Sequence, residues 1–422
     1  MKKTLAIIGT GIAGMSAAYF LKEDFRITFF EKDNYAGGHT NTYIHKEDDR
    51  NVYIDTAFMV YNEITYPNLT RFFKELDIKT KPTKMTFSVQ HIPSGLEYCG
   101  TGISGLFAQR TNIFRPWFIK MLMDMDRFNK KAPDILEKEA YVDLTLEQYV
   151  KDNKFGDDFL YKFLIPMSSA VWSTPPDLML NFPAVTLIRF FKNHGFLGLD
   201  THYQWRTPEG GSRQYRDKLM NAFNNTVHIN NGAEEIFEEE QNVVVIDARG
   251  ERHEFDKVLI AAHADDALKM LKKPTNLQRD LLSKFHYQPN RATLHTDKKL
   301  MPKTCRAWSS WNYRIQRDQR NKLTTTTIYD MNSLQDVSDK QNYFVSINDP
   351  GEINPLNIIW EKEYHHPLFD VPAMRAQAKL SELNREGNIY FSGSYFKYGF
   401  HEDAFTSGLN AAREIAGKGL WN

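Results

Sequence analysis

Along the chain, unbroken apolar runs give way to helical and then to alternating patterns. Leu5-Ala6-Ile7-Ile8 is continuously apolar, which predicts a strand buried on both faces of a parallel sheet. Ile12 to Leu21 has helical spacing and small residues and predicts a helix. Arg26 to Phe30 predicts a second strand ending at Glu31, and Val52 to Asp55 a third, short one.

The pattern then changes. Residues 102–141 are rich in Phe, Met, Lys and Arg at helical spacing, and residues 145–204 continue with helices and turn signals such as Thr174-Pro175-Pro176-Asp177. Near residue 205 the earlier character returns. Glu209-Gly210-Gly211-Ser212 predicts a tight turn and a helix start, Thr226 to Ile229 and Asn242 to Asp247 alternate like strands, and Asp256 to Ala262 contains another buried strand. A second excursion over 271–384 has strand-like stretches at Ala292–His295, Thr324–Ile328 and Phe344–Ile347. The sequence ends on a predicted strand over Asn388–Ser392, a glycine-bearing turn, and a helix over 403–416 that starts near Glu402.

Gly9-Thr10-Gly11-Ile12-Ala13-Gly14 falls between the first predicted strand and helix. The first glycine permits the tight turn, the second lets backbone approach a pyrophosphate, and the third lets helix pack on strand. The helix N-terminus offers free amides and a positive dipole end to phosphates. Glu31 ends the next strand, where a carboxylate can accept ribose hydroxyls. Together these predict an α/β fold with a discontinuous Rossmann-like (glutathione-reductase-type) dinucleotide domain over 1–75, 205–270 and 385–422. An α+β substrate domain is predicted over 76–204 and 271–384.

Four features favour FAD over NAD. Gly37-Gly38-His39-Thr40 places a second glycine pair soon after Glu31 and Lys32. Asp55-Thr56-Ala57 follows the third strand, and Val227 and Ile229 can offer backbone groups to an adenine edge. The segment Gly393 to Gly408 returns to the dinucleotide domain and starts a helix whose dipole suits the pyrimidine side of a reduced flavin.

Composition narrows the function. The chain has 422 residues, 41% of them apolar, enough for two cores. Its 53 basic and 53 acidic residues cancel, so no field steers it to nucleic acid, and no nucleic-acid partner is expected. The two cysteines, Cys99 and Cys305, have no CxxC spacing, so they read as reduced thiols of a cytoplasmic protein, with no zinc site. His365-His366 has no carboxylate at ligand spacing, and no metal is expected. No apolar window reaches the ~18–20 residues of a membrane span.

The chain resembles the amine-oxidase/phytoene-desaturase superfamily of FAD enzymes. It resembles more closely the bacterial NAD/FAD-binding oxidoreductases associated with cyclopropane fatty-acid synthases. The resemblance is carried by the N-terminal turn with Glu31, Gly37-Gly38-His39-Thr40, Gln204 to Ser212, Leu294-His295-Thr296-Asp297, Ala307 to Tyr313, and Gly399-Phe400-His401-Glu402-Asp403. It implies Gly9, Gly11, Ile12, Ala13 and Gly14 at the pyrophosphate, Glu31 at the ribose, and Gly37, Gly38 and Thr40 nearby. Gly393, Ser394, His401, Glu402 and Asp403 would follow the rest of the cofactor. Phe400 falls where amine oxidases carry an aromatic facing the flavin.

The expected activity is hydride transfer from a substrate C–H bond to the flavin, in a dry and shaped pocket. The aromatic content of 13% and the stretch Phe114 to Met123 favour an apolar, lipid-like substrate. An amine oxidase is the alternative, and so is a non-catalytic flavin-binding partner of a lipid-modifying enzyme. His295 and Phe400 are the candidate catalytic residues. The Phe114–Met123 stretch reads as a packed amphipathic helix or as a peripheral contact with membrane lipid. Oligomeric state is left open.

Overall fold

The structure, a computed structural model, describes residues 2–137, 141–198 and 203–421. The predicted helical stretches over 102–141 and 145–204 therefore include residues, 138–140 and 199–202, that lie outside the described ones.

A five-stranded parallel sheet forms the nucleotide side. Its spatial order is Val227–His228, Phe25–Phe30, Lys3–Ile8, Lys257–Ile260 and Ile389–Phe391. The first strand is central and pairs on both sides, which accounts for its unbroken apolar run. Leu5, Ala6 and Ile7 are fully buried, and each large side chain so buried contributes about 1.5–3 kcal/mol.

Helix Ile12–Leu21 covers one face of this sheet and is itself covered by helix His401–Ala416. Small residues set that contact. Ser16 Oγ donates to Ala13 O (2.9 Å) and Phe405 O (3.1 Å). Gly408 lies so close to Ala13 and Ser16 that no side chain fits there.

The second layer is a seven-stranded mixed sheet. Its order is Ile358–Leu368, His286–His295, Phe344–Ile347, Leu323–Asp330, Trp311–Arg317, Phe87–His91 and Leu96–Cys99. Helices between Gly102 and Asn193 pack over it. The predicted third strand, Arg50–Asp55, pairs instead with Thr42–Glu47 as an antiparallel hairpin outside the parallel sheet. Asn242–Asp247 lies in a three-stranded meander with Ala233–Glu239 and Arg252–Phe255. The final helix starts at His401. Among the described residues no helix is long and apolar enough to cross a membrane, and Cys99 and Cys305 are both free thiols.

Candidate active site

The glycine turn divides its work as its chemistry demands. Gly9 has φ +99°, and a Cβ there would lie 2.7 Å from Ala261 O. At Gly14 a Cβ would strike Gly9 O and come within 3.0 Å of Ile7 Cγ2. Gly11 differs, because a Cβ there would meet nothing within 4 Å. The middle glycine therefore faces open space, while the other two are packed.

The first helical hydrogen bond runs from Met15 N to Gly11 O (2.9 Å). The amides of Ile12, Ala13 and Gly14 point the same way, as the orphan donors of a helix start. No side chain caps them, and the first turn holds no acid. Open space beside uncapped amides suits an anion. Ser392 Oγ, at the carboxyl end of the last parallel strand, is fully buried and lacks a partner in the protein. Ligands of open α/β sheets bind at such strand ends. These features fit a dinucleotide.

Glu31 is buried beside the turn. Its Oε2 accepts from Thr10 N (2.9 Å) and Thr10 Oγ1 (2.5 Å), and its Oε1 from Asp33 N (2.9 Å). A carboxylate has about four acceptor positions, so one remains on Oε1 for a hydroxyl. Lys32 points outward to Asp266 (3.0 Å). Val227 and His228 lie beside Phe29 and Phe30. Beyond Ile229, Asn230 N and Asn231 N bond Asp33 O and Glu31 O, so this segment runs alongside Glu31.

The second glycine pair closes on the first. A Cβ at Gly38 would be 3.4 Å from Gly11 Cα, and one at Gly37 would be 2.8 Å from Arg216 Cδ. Next in sequence, His39 packs on Tyr364 (5.0 Å between ring centroids) and His366 (5.2 Å). Across the turn, His263 stacks on Tyr287 (4.2 Å). Burial lowers His39 to about 4 and His263 and His366 to about 3, so these imidazoles are neutral at pH 7. Thr40 Oγ1 meets the Tyr215 hydroxyl (2.7 Å), which meets His401 Nε2 (2.6 Å). His401 also lies flat on Phe58 (3.8 Å), and burial holds its pKa well below the usual imidazole range.

Phe400 stacks on Phe190 (4.8 Å, 20°) and touches Trp172 (5.9 Å) and His194 (6.2 Å). Phe196 joins this wall through Phe190 (6.1 Å). Phe196 and Trp311 each touch both large hydrophobic clusters of the protein. Burial lowers His194 to about 4, so the wall carries no charge of its own at pH 7.

Several expected residues have other duties. His295, the first catalytic candidate, is fully buried. Its Nε2 meets Ser346 Oγ (2.7 Å) and its Nδ1 accepts from Asp297 N (3.1 Å). Both nitrogens are spent on structure, and its ring packs on Phe344 of a small separate cluster.

Glu402 accepts from Asn68 N (3.0 Å) and Leu69 N (2.9 Å), so it caps helix Pro67–Glu75 rather than facing a ligand. Asp403 accepts from Tyr398 N (3.1 Å) and Phe400 N (3.0 Å). Burial raises Glu402 to about 7 and Asp403 to about 6.

Gly210 and Gly211, both with positive φ, also serve packing. A Cβ at Gly211 would lie 2.6 Å from Thr42 Cγ2 and 3.1 Å from Asp55 Oδ1. Buried Asp55 accepts from Ser212 N, Ser212 Oγ, Thr42 Oγ1 and Gln335 Nε2. Gly393 and Ser394 form a compact turn in which Ser394 O accepts from Lys397 N and Gly399 N.

Tyr215, Trp172, Phe190 and His194 were not expected here. Their only signal was a Gly-Gly-Ser helix start for Tyr215 and aromatic richness for the rest.

Residues 12–372 match the family described as flavin containing amine oxidoreductase. A cyclohexylamine oxidase from Brevibacterium oxydans has a similar structure, with TM-score 0.71 at 14% identity over 99% of each chain. Putrescine oxidase bound to putrescine gives 0.69 at 15% identity, over 99% of this chain and 100% of the other. A fatty acid isomerase from P. acnes that produces CLA gives 0.67 at 13% identity, over 96% and 97%. A comparison with curated protein sequences finds no match. With the family match spanning most of its length and the turn built for a dinucleotide, the chain belongs to the flavin-containing amine oxidoreductases, an FAD-binding family of enzymes.

Proposed function

We propose that this FAD-dependent oxidoreductase takes a hydride from a C–H bond of an apolar, lipid-like substrate such as an unsaturated or modified fatty acyl chain. The observation that carries this reading is the uncharged wall of Trp172, Phe190, His194 and Phe400 at the start of helix His401–Ala416. Side chains of this kind, where they line a site, exclude water and orient an acyl chain by contact alone. A buried ammonium group needs an acceptor or a carboxylate partner. The two acids nearest in sequence, Glu402 and Asp403, each already accept from two backbone amides.

When bound, FAD supplies the two-electron acceptor. The protein supplies its seat. The amides of Ile12, Ala13 and Gly14 hold the pyrophosphate. The open acceptor position of Glu31 takes a ribose hydroxyl. The N-terminus of helix His401–Ala416 offers its dipole to negative charge.

The test is anaerobic titration of the holoenzyme with acyl lipids and with a panel of polyamines and aromatic amines. Bleaching of the visible flavin band by an acyl lipid is the expected result. Bleaching by amines alone would replace this reading with an amine oxidase, a reading supported by the family and by the names of its structural neighbours. Bound FAD that neither class reduces would favour a flavin-binding partner of a lipid-modifying enzyme.

A further inference from the structure

One corner of the helical layer presents large apolar side chains to solvent. Phe114 is 85% exposed, Ile103 73%, Met123 67% and Ile113 57%. They sit on helix Gly102–Leu106, the 3₁₀ turn Arg110–Phe114 and the first turns of helix Pro116–Lys131. The backbone beneath them is anchored, because Leu106, Asn112, Phe118 and Met121 are buried. Arg110 binds the corner together by donating to Phe107 O (3.2 Å) and Ser104 Oγ (3.4 Å).

Within the segment that carries these tips the charge has one sign, and the acids that flank it, Asp126 and Asp158, are paired with Lys130 and Lys162. From Gly100 to Met123 the sequence has Arg110, Arg115 and Lys120 and no Asp or Glu. Pro116, Lys120 and Met123 recur at i, i+4 and i+7, so they share one helix face. Arg115 lies over the Trp117 ring (5.9 Å), with Lys162 on the same ring (4.1 Å). Core packing accounts for Phe118 and Met121 and leaves the exposed tips unexplained.

We infer that this corner is a docking surface for an anionic lipid bilayer. Apolar tips ringed by cations, with a tryptophan among them, are what an interfacial anchor requires. A second copy of the chain fits poorly, since a two-fold contact would bring the three cations against three more. The inference stands apart from the choice of substrate, because it rests on a surface and not on the aromatic wall.

The experiment is flotation of the holoenzyme with vesicles of phosphatidylcholine alone or with added phosphatidylglycerol. Wild-type protein is expected to float with the anionic vesicles and to be released as salt rises from about 0.1 to about 0.5 M. The double variant Ile113→Asp/Phe114→Asp is expected to bind roughly tenfold more weakly with an unchanged flavin spectrum. Arg110→Gln/Lys120→Gln is expected to lose the preference for anionic lipid. Equal flotation of wild type and the double variant would overturn the inference. So would failure to bind any vesicle, and in that case a concentration-dependent dimer abolished by the same variant would assign the corner to a second copy.

Discussion

The Tyr215 hydroxyl lies 2.6 Å from His401 Nε2 and 2.7 Å from Thr40 Oγ1, so one phenol joins three segments distant in sequence. Burial keeps His401 neutral and raises Tyr215 well above the ordinary phenol range. The network therefore keeps its protons across the neutral range. An arrangement in which Thr40 donates to Tyr215 and Tyr215 to His401 Nε2 gives each of these three atoms a partner.

Tyr215→Phe leaves Thr40 and His401 facing each other at 3.4 Å with a weak contact. The expected loss is about 1–3 kcal/mol, that of a buried polar group left without its partner. Urea unfolding of holoenzyme and variant checks it. A variant within about 0.5 kcal/mol of wild type would mean that the network is not closed as described.

Gly11 and Gly14 should separate binding from folding. At Gly11 the backbone is extended (φ −63°, ψ 173°) and the space in front is open. Gly11→Ala should therefore leave apoprotein stability almost unchanged while sharply reducing the FAD retained on purification. Gly14→Ala drives a methyl into Gly9 O and Ile7, and overpacking of this kind costs about 1–3 kcal/mol or more. Thermal unfolding with flavin content measured on the same sample distinguishes the two.

His295→Gln should lower stability by about 1–3 kcal/mol and leave flavin reduction per bound FAD intact. The His295 pKa falls from the ordinary 6.5 to about 4 through burial. The folded protein thus binds this proton less readily than the unfolded chain. Its contribution is complete above pH 6.5 and is lost as pH falls toward 4. Unfolding at pH 7 and pH 5 should show a shallower acid loss in the variant than in wild type.

Glu402 works in the opposite direction. Burial outweighs its two amide donors and raises it from 4.5 to about 7. The folded state therefore holds this proton longer than the unfolded chain. The associated stability is complete below pH 4.5 and is lost as pH rises to about 7. Glu402→Gln keeps an acceptor for the helix start and should flatten that pH window. Glu402→Ala removes the cap and should cost about 1–2 kcal/mol in acid, a cost that shrinks as pH rises to about 7. A pH series of unfolding curves for the three proteins tests both points.

The nucleotide sheet was legible because its signals are local. An unbroken apolar run, a GxGxxG turn and a carboxylate one strand later each follow from backbone rules. The strand Arg50–Asp55 was legible as a strand but not in its partner, since a short apolar run says nothing of which neighbour it pairs with. His295 and Glu402 misled for a related reason. A histidine in a strand and an acid at a helix start look alike whether they meet a ligand or a distant amide. The aromatic wall was invisible because Trp172, Phe190 and Phe400 come from separate segments that only the tertiary fold brings together.

The contact between helix Ile12–Leu21 and helix His401–Ala416 has a consequence for biosynthesis. The glycine turn is made long before residue 401, and the hydrogen bond from Ser16 to Phe405 spans 389 positions. Domains fold as units during synthesis, and pairings so remote in sequence form slowly. A nascent chain stalled before residue 401 exposes the small-residue face around Ala13 and Ser16 with nothing to cover it. Cofactor capture is thus expected to wait for helix His401–Ala416, and products that stop before it should be aggregation-prone and colourless.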